Sequence, residues 1–357
     1  MATRFFTDIL AEISQRGRWL IAGAREAASA EGIAERAQAL ISGQGEASGV
    51  AMAREILDSF EALDEKDKSA FFTELATRFG ADRDALDAAA KAYLTSHGDD
   101  AVQALRAACE GGRPELIRRL NLAPGGMAGL VAMRAELLRR LAKMPGLKAV
   151  DADFEHLFTA WFNRGFLVLR RIDWDTPASI LERIVRYEAV HAIRDWNDLR
   201  NRIDRPDRRL YAFFHPALSA EPLIFVEVAL SRDIPDAITE ILDSKSEPID
   251  PARADTATFY SISNCQAGLR GISFGNFLIK QVVEELSREF PGLKNLVPLS
   301  PVPGFLTWLE AACEDTGETA SAMSAAARDL LLRPDTREAP GLHANVRGRQ
   351  VPPAEHY

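Results

Sequence analysis

The chain has 357 residues, enough for two domains, and its 47% hydrophobic and 27% charged content is that of an ordinary soluble globular protein. A formal net charge of −9 argues against a general nucleic-acid binder, so any anionic ligand must be held by local features. Three cysteines without a CxxC pair, and no apolar run near the ~18 residues of a membrane span, favour a cytoplasmic enzyme without thiolate-bound metal.

The N-terminal part is predicted to be helical. The first twenty residues do not read as a secretory signal, although Arg4, Arg16 and Arg18 leave an organellar presequence as an alternative. From about residue 50 to 147, apolar residues recur at helical spacing among good helix formers. These stripes are interpreted as helix–helix core, with an oligomer surface as the alternative for part of one. Glycines are predicted to separate the helices: Gly80, Gly111, Gly112, Gly125 and Gly126.

After about residue 155 the pattern changes to short β-rich runs separated by helices. Between the first two runs, Thr176 is predicted to cap a helix that has Pro177 at its first position. A charged stretch with two prolines, 241–257, is predicted to be an exposed loop. The region is therefore expected to be α/β, or α+β with one mixed sheet. The predicted strands are 165–172, 211–218, 222–230 and 258–263.

Three glycines, Gly268, Gly271 and Gly275, stand between the last of these strands and an amphipathic helix. Free backbone N–H groups and the positive end of a helix dipole at such a place accept phosphate oxygens without net positive charge. There is neither a GxxxxGK[ST] nor a GxGxxG sequence, which excludes a P-loop and a Rossmann fingerprint. A turn in which glycines only relieve packing is the alternative. The helix residues predicted to face the sheet are Ile279, Val282, Val283, Leu286 and Phe290.

The glycine stretch RGISFGNFLI resembles the acyl-CoA pyrophosphate loop of the GNAT acyltransferases. Further stretches extend the likeness, and together they resemble the malonyl-CoA decarboxylase family in order and spacing from about residue 90 to 310. The stretches are 118–134, 162–199, 213–230 and 277–305.

The resemblance implies a helical oligomerisation domain at 1–155, a GNAT-like catalytic domain at 156–315 and a divergent, disordered tail at 316–357. The fold class expected is therefore an all-α N-terminal domain followed by an α/β (α+β) GNAT-like acyl-CoA-binding domain, with its C-terminal strands missing. The implied reaction converts malonyl-CoA to acetyl-CoA and CO2 through a thioester enolate, without metal or organic cofactor. The implied partners are malonyl-CoA and further copies of the chain in a homotetramer, with no nucleic acid and no membrane.

The same resemblance assigns the site. The CoA pyrophosphate is expected on backbone amides of the loop, with a side-chain contact from Arg270 and with Asn276 as a flanking residue. The expected CoA-binding residues are Gln266, Ala267, Gly268, Leu269, Arg270, Gly271, Ile272 and Ser273.

The catalytic residues are harder to place. The family's hydroxyl residue falls by position on Val297 or Pro298, neither of which has a hydroxyl, so Ser300 is the nearest candidate. The family's histidine lies farther on, and His343 is either its counterpart or a coincidence in the tail. Three functions follow: a decarboxylase, a GNAT acyltransferase, or a catalytically impaired acyl-CoA-binding, oligomerising subunit. The physiological role, malonate catabolism or control of fatty-acid synthesis, stays open.

Other residues receive plainer interpretations. His215 is predicted to be structural, with a site role as the alternative, and His156 and His191 are also predicted to be structural. Cys265 is predicted to be a small buried residue, because decarboxylation needs no nucleophile. The basic run 200–209 is interpreted as a solvated loop, with a contact to the 3′-phosphate of CoA as the alternative.

Overall fold

The computed structural model describes residues 29–43, 46–218, 221–274, 277–299, 304 and 308. These residues belong to two compact units, each built from more than one segment of the chain. No helix in the described part is both long and apolar enough to cross a membrane. The described residues of the first unit fall within Met1–Arg170, Phe213–Ile224 and Asn264–Lys280, and those of the second within Arg171–Ala212, Phe225–Ser263 and Gln281–Tyr357.

Helices make up nearly all of the described N-terminal part, as predicted. Ser29, Asp64 and Asp82 each cap a helix, because their side-chain oxygens accept hydrogen bonds from backbone N–H groups of the first turn. Gly111 and Gly125 also precede helices, so these predicted breaks are confirmed. The helices are α1 Ala30–Ser42, α2 Glu46–Glu61, α3 Glu65–Arg78, α4 Arg83–Ser96, α5 Asp99–Cys109, α6 Gly112–Asn121, α7 Gly126–Arg140 and α8 Lys148–Trp161.

The apolar stripes of these helices form their core. The ring of Phe60 lies 5.3 Å from that of Phe71 and 5.4 Å from that of Phe72, in tilted and edge-on pairs. In contrast, α4 buries none of its residues, and Leu94 on that helix is 70% exposed. The predicted core residues that are buried are Ile56, Phe60, Leu63, Phe71, Leu75, Phe79, Leu130, Met133 and Leu137.

Within the part of the chain that the structure describes, the strands form one five-stranded sheet in the order β1-β2-β3-β4-β5. The Leu230 amide donates to Asp207 O at 2.9 Å, and the Cys265 amide donates to Leu223 O at 2.9 Å. These bonds join opposite ends of neighbouring strands, so β3 runs antiparallel to both β2 and β4. In contrast, β4 and β5 are parallel, and the predicted mixed sheet is confirmed. The strands are β1 Val168–Ile172, β2 Arg208–Phe214, β3 Pro222–Ser231, β4 Thr256–Asn264 and β5 Asn295–Pro298.

Four more helices accompany the sheet in the described residues, and two details of the prediction are wrong. Thr176 does not cap the first of them: its hydroxyl accepts from the Asp173 amide, and Pro177 is the N-cap residue. On the last helix Ile279 is 37% exposed and Leu278 is buried in its place, because the buried face starts one residue earlier than predicted. The helices are α9 Ala178–Tyr187, α10 Trp196–Ile203, α11 Ile238–Leu242 and α12 Phe277–Glu289.

Candidate functional site

The loop between β4 and α12 is a series of tight turns. A short 3-10 helix, Ala267–Leu269, follows the end of β4. The Leu269 amide donates to Gln266 O at 3.0 Å, the Arg270 amide to Ala267 O at 3.2 Å, and the Ile272 amide to Leu269 O at 3.0 Å. These three amides are therefore already satisfied within the loop.

The eight residues predicted to bind CoA divide into two groups. Ala267, Arg270, Gly271 and Ser273 are exposed, and each can meet a ligand. Gly268, Leu269 and Ile272 are buried, and the side-chain amide of Gln266 donates to Pro222 O at 3.2 Å. The second group builds the loop. Gly275 and Asn276 lie outside the described residues.

Gly271 offers an amide that is suited to an anion. Its φ is 85°, a left-handed conformation that a side chain would strain. A Cβ built on it would meet nothing within 4 Å, and the residue is exposed. Among the described residues nothing accepts a hydrogen bond from the Gly271 N–H. This donor is therefore available to a phosphate oxygen.

Helix α7 packs against the loop at Gly268. A Cβ on Gly268 would lie 1.9 Å from Val131 O, so the loop backbone approaches the helix backbone as only glycine allows. Three residues farther along α7, the Arg134 guanidinium donates to Gly268 O at 2.8 Å and to Arg270 O at 2.9 Å. Sequence reasoning missed Arg134, although a signal existed: a basic residue lies in the apolar stripe between Leu130 and Leu137.

Two cations lie beside the loop. The exposed Arg164 places its guanidinium 4.1 Å from the ring centroid of Phe277, the first residue of α12. The Arg270 side chain is exposed and has no partner among the described residues. The site therefore combines a free amide with two guanidinium groups, in a protein whose net charge is −9. Arg164 was also missed by sequence reasoning.

The end of β4 runs past its pairing with β5. Paired residues extend from Thr256 opposite Asn295 to Phe259 opposite Pro298, and the Leu299 amide donates to Phe259 O at 2.8 Å. Strand β4 continues to Asn264, five residues beyond that last pair. Within the described residues, β5 offers these five no partner, so backbone groups at this edge are suited to an extended ligand.

The hydroxyl position implied by the resemblance lies on β5. Val297 is half-buried opposite Thr258, and Pro298 is exposed opposite Phe259. The Thr258 hydroxyl is buried and has no hydrogen-bond partner among the described residues. The two proposed catalytic residues, Ser300 and His343, lie outside the described residues, as does the predicted tail 316–357.

A buried carboxyl pair lies inside the second unit. Glu227 is fully buried, and its Oε2 accepts from Arg202 Nη1 at 3.0 Å, while its Oε1 has no partner in the described part of the chain. Burial, opposed by Arg202 and assisted by the charge of Glu188, raises the pKa of Glu227 to about 7. The Glu188 carboxylate is buried too, but it accepts hydrogen bonds from the His191 amide and from Ser261 Oγ.

The basic run 200–209 is not a solvated loop, and the interpretation as one is wrong. Arg202, Arg208 and Arg209 are at most 6% exposed. Arg209 donates to Glu289 Oε1 at 2.6 Å, and Arg208 donates to Ile241 O at 2.8 Å. Their charges are matched inside the protein, which also makes them poor contacts for a CoA phosphate.

Two of the three histidines make contacts that fit the predicted structural role, namely His215 and His191. His215 Nδ1 accepts from the Ala217 amide at 3.1 Å, its ring centroid lies 5.1 Å from that of Phe162, and burial lowers its pKa. His191 follows α9 instead of lying on it, which corrects the predicted helix length, and burial lowers its pKa too. His156 is exposed on α8. Cys265 is buried, as predicted.

The comparisons with known proteins all indicate the same family. The profile of the malonyl-CoA decarboxylase C-terminal domain matches residues 165–357, and that of the N-terminal domain matches 79–162. The crystal structure of malonyl-CoA decarboxylase from Rhodopseudomonas palustris is 53% identical, with a TM-score of 0.79, covering 89% of this chain and 78% of that one. The enzyme from Agrobacterium vitis is 50% identical, with a TM-score of 0.76, covering 84% and 78%.

A curated relative is more distant and longer. The mitochondrial malonyl-CoA decarboxylase of Anser anser anser is 42% identical over 200 residues, which are 54% of this chain and 40% of that protein. The match thus spans two-fifths of the length of that relative. The predicted fold class, a helical region followed by an α/β GNAT-like domain, is confirmed. The prediction that the C-terminal strands are missing concerns a part of the chain outside the described residues, and it stays a prediction.

Proposed function

The chain belongs to the malonyl-CoA decarboxylase family, and on that premise we propose that it converts malonyl-CoA to acetyl-CoA and CO2. The observation that carries the proposal is the loop between β4 and α12. It presents the unpaired Gly271 amide and the Arg270 guanidinium, with Arg164 nearby, which together suit a pyrophosphate.

The proposed reaction needs no organic cofactor, because the thioester itself accepts the electron pair that CO2 leaves behind. The bond between the malonyl carboxylate carbon and Cα breaks, and its electron pair moves onto the thioester carbonyl to give an enolate. Carbon dioxide leaves, and Cα then takes a proton from an acid. The protein must hold the thioester so that donors meet the growing charge on its oxygen, and it must supply that proton.

We assign roles to this chain's residues on that scheme. The amide of Gly271 and the side chains of Arg270 and Arg164 hold the pyrophosphate. The pantetheine arm lies along the end of β4, where the described pairing with β5 has stopped. Ser300 engages the malonyl carboxylate and His343 donates the proton, both carried over from the family resemblance.

We also propose that the chain assembles as a homotetramer through its helical domain, in the cytoplasm. The pair α4 and α5 supports the assembly, since Leu94 is 70% exposed and Val102 43% exposed. Light scattering of the purified protein tests it: a monomer at micromolar concentration contradicts it. The absence of a disulfide framework in the sequence favours a reducing compartment.

A pair of measurements tests the activity. Purified protein is incubated with malonyl-CoA while acetyl-CoA is followed, and CoA is titrated separately by calorimetry. We expect turnover in the wild type, and we expect Arg270→Ala to raise KM by about ten-fold, since a charge-assisted hydrogen bond to phosphate is lost. The expected kcat changes little, because the pyrophosphate contact is the same in ground and transition states.

Arg83→Ala is the matched control, because Arg83 is an exposed arginine on α4 outside the loop. It should leave KM unchanged. CoA binding without turnover would exclude decarboxylation by this chain and leave an acyl-CoA-binding subunit, a reading that Val297 and Pro298 would then explain. Neither binding nor turnover would remove the proposal altogether.

A further inference from the structure

Arg134 is a buried cation whose hydrogen bonds reach the proposed CoA loop. It is 2% exposed, and an arginine stays charged in a protein interior. Its Nε donates to Asp151 Oδ1 at 2.8 Å, while its Nη1 donates to two loop carbonyls, those of Gly268 and Arg270. The loop residues are 134 and 136 positions away along the chain. A charged group that is buried this deeply needs such partners.

These bonds determine which way one loop amide faces. In a trans peptide the carbonyl and the N–H of the same plane point in opposite directions. The Arg270 carbonyl points at Arg134, so the N–H of Gly271, which shares its peptide plane, points away from α7. That N–H has no partner among the described residues, and Gly271 is exposed. Arg134 thus orients the amide that a phosphate oxygen would take.

The position of Arg134 on α7 is matched to the loop. Val131 and Arg134 are three residues apart and so lie on one face of the helix. Val131 contacts Gly268 through its backbone, and this close approach brings the guanidinium within hydrogen-bond distance of the two carbonyls. On the other side Asp151, on α8, holds the guanidinium through its Nε. The planar fork of arginine serves all three acceptors at once.

We propose that Arg134 is a positioning residue for acyl-CoA binding, which acts by orienting the Gly271 amide. The inference rests on the proposed function in one respect, that this loop binds the CoA pyrophosphate. It requires no contact between Arg134 and the ligand. Its loss should weaken CoA binding and raise KM, and it should leave the chemical step unchanged because the reacting carbon is held by other groups.

The same helix supplies a matched control. Arg140 is also a buried arginine of α7, 7% exposed, and it bonds to Ser69, Glu65 and Glu136 without touching the loop. Each arginine is replaced by lysine, which keeps the charge but has no planar fork to serve several acceptors. The melting temperatures of both variants measure the loss of stability, and calorimetry with CoA measures the change in Kd.

We expect Arg134→Lys to raise the Kd for CoA by about ten-fold and the KM for malonyl-CoA similarly, with kcat within about two-fold. Arg140→Lys should lower the melting temperature and leave the Kd for CoA unchanged. Asp151→Asn provides a second variant that keeps Arg134 in place but weakens its support, and it should raise the Kd by a smaller factor.

Three results would overturn the inference. One is an unchanged Kd in folded Arg134→Lys, another is an equal loss of CoA affinity in both lysine variants, and the third is a drop in kcat without a change in KM. If Arg134→Lys does not fold, an unchanged Kd in Asp151→Asn refutes the idea. Wild-type protein that binds CoA without turnover would count against the proposed decarboxylation and leave this inference to be decided by the Kd values.

Discussion

Replacing Gly268 by alanine should separate the loop from α7. The new Cβ would lie 1.9 Å from Val131 O and 2.8 Å from Val131 C, whereas real Cβ atoms essentially never approach another atom closer than 3.0 Å. The two backbones must therefore move apart by about 1 Å. Neither is a flexible side-chain end that can swing away, so the movement displaces the loop itself.

The displacement also breaks the bonds of Arg134. Distances of 2.8 and 2.9 Å to the two loop carbonyls would become longer than a hydrogen bond allows. Overpacking costs about 1–3 kcal/mol and a buried guanidinium deprived of acceptors a similar amount, so we expect a destabilisation of about 3 kcal/mol or more. At roughly 2–4 °C per kcal/mol, the melting temperature should fall by about 6–12 °C.

Thermal denaturation and calorimetry with CoA measure the effect against two control variants. Gly146→Ala introduces a Cβ that meets nothing within 4 Å, and it should be nearly neutral. Gly271→Ala also has space, but its φ of 85° should cost about 1–2 kcal/mol. If Gly268→Ala has the same melting temperature as Gly146→Ala and binds CoA like the wild type, the reasoning from the close approach of the loop to α7 is refuted.

Two further predictions concern buried ionisable groups. The pKa of Glu227 is about 7 in the fold, against 4.5 for an ordinary glutamate, so the folded state binds more protons between these values and stability should fall as pH rises from about 4.5 to 7. Glu227→Gln should flatten that slope in urea titrations at several pH values, and a persistent slope would assign it to another group. His215→Asn keeps an acceptor for the Ala217 amide but loses the ring contact with Phe162, so it should lower the melting temperature and leave kcat within about two-fold; a hundred-fold loss of kcat would instead make His215 a site residue.

The local pattern of apolar residues was enough to predict most helices and strands. Spacing of apolar residues predicted the helices whose faces are now buried, such as the one carrying Leu130, Met133 and Leu137, because a helix repeats its buried face every three to four residues. Runs of β-branched and aromatic residues predicted four strands, with errors at the ends only. The clearest is β2, which begins at Arg208 instead of Tyr211 because its first residues are arginines that carry no strand signal.

The sequence analysis failed mainly at charged residues, whose burial and partners it did not predict. The run 200–209 looks solvated because arginine is mostly a surface residue, yet Arg202 and Arg209 are buried against Glu227 and Glu289. Their partners lie 25 and 80 positions away along the chain, beyond any local window. Arg164 was overlooked for the same reason, since nothing near it in sequence indicates that it covers Phe277.

By itself the sequence determined that a strand, a glycine loop and a helix follow one another, and that the chain resembles a family whose members bind acyl-CoA there. Only the tertiary structure decided what each loop residue does. Gly268 allows the backbone of α7 to come close, and Gly271 presents an unpaired amide. Arg134 binds the Arg270 carbonyl, and the Gly271 N–H of the same peptide plane therefore points away from α7. The physical reason is that a backbone N–H is a donor at every residue, and whether it is available depends on partners brought from distant parts of the chain.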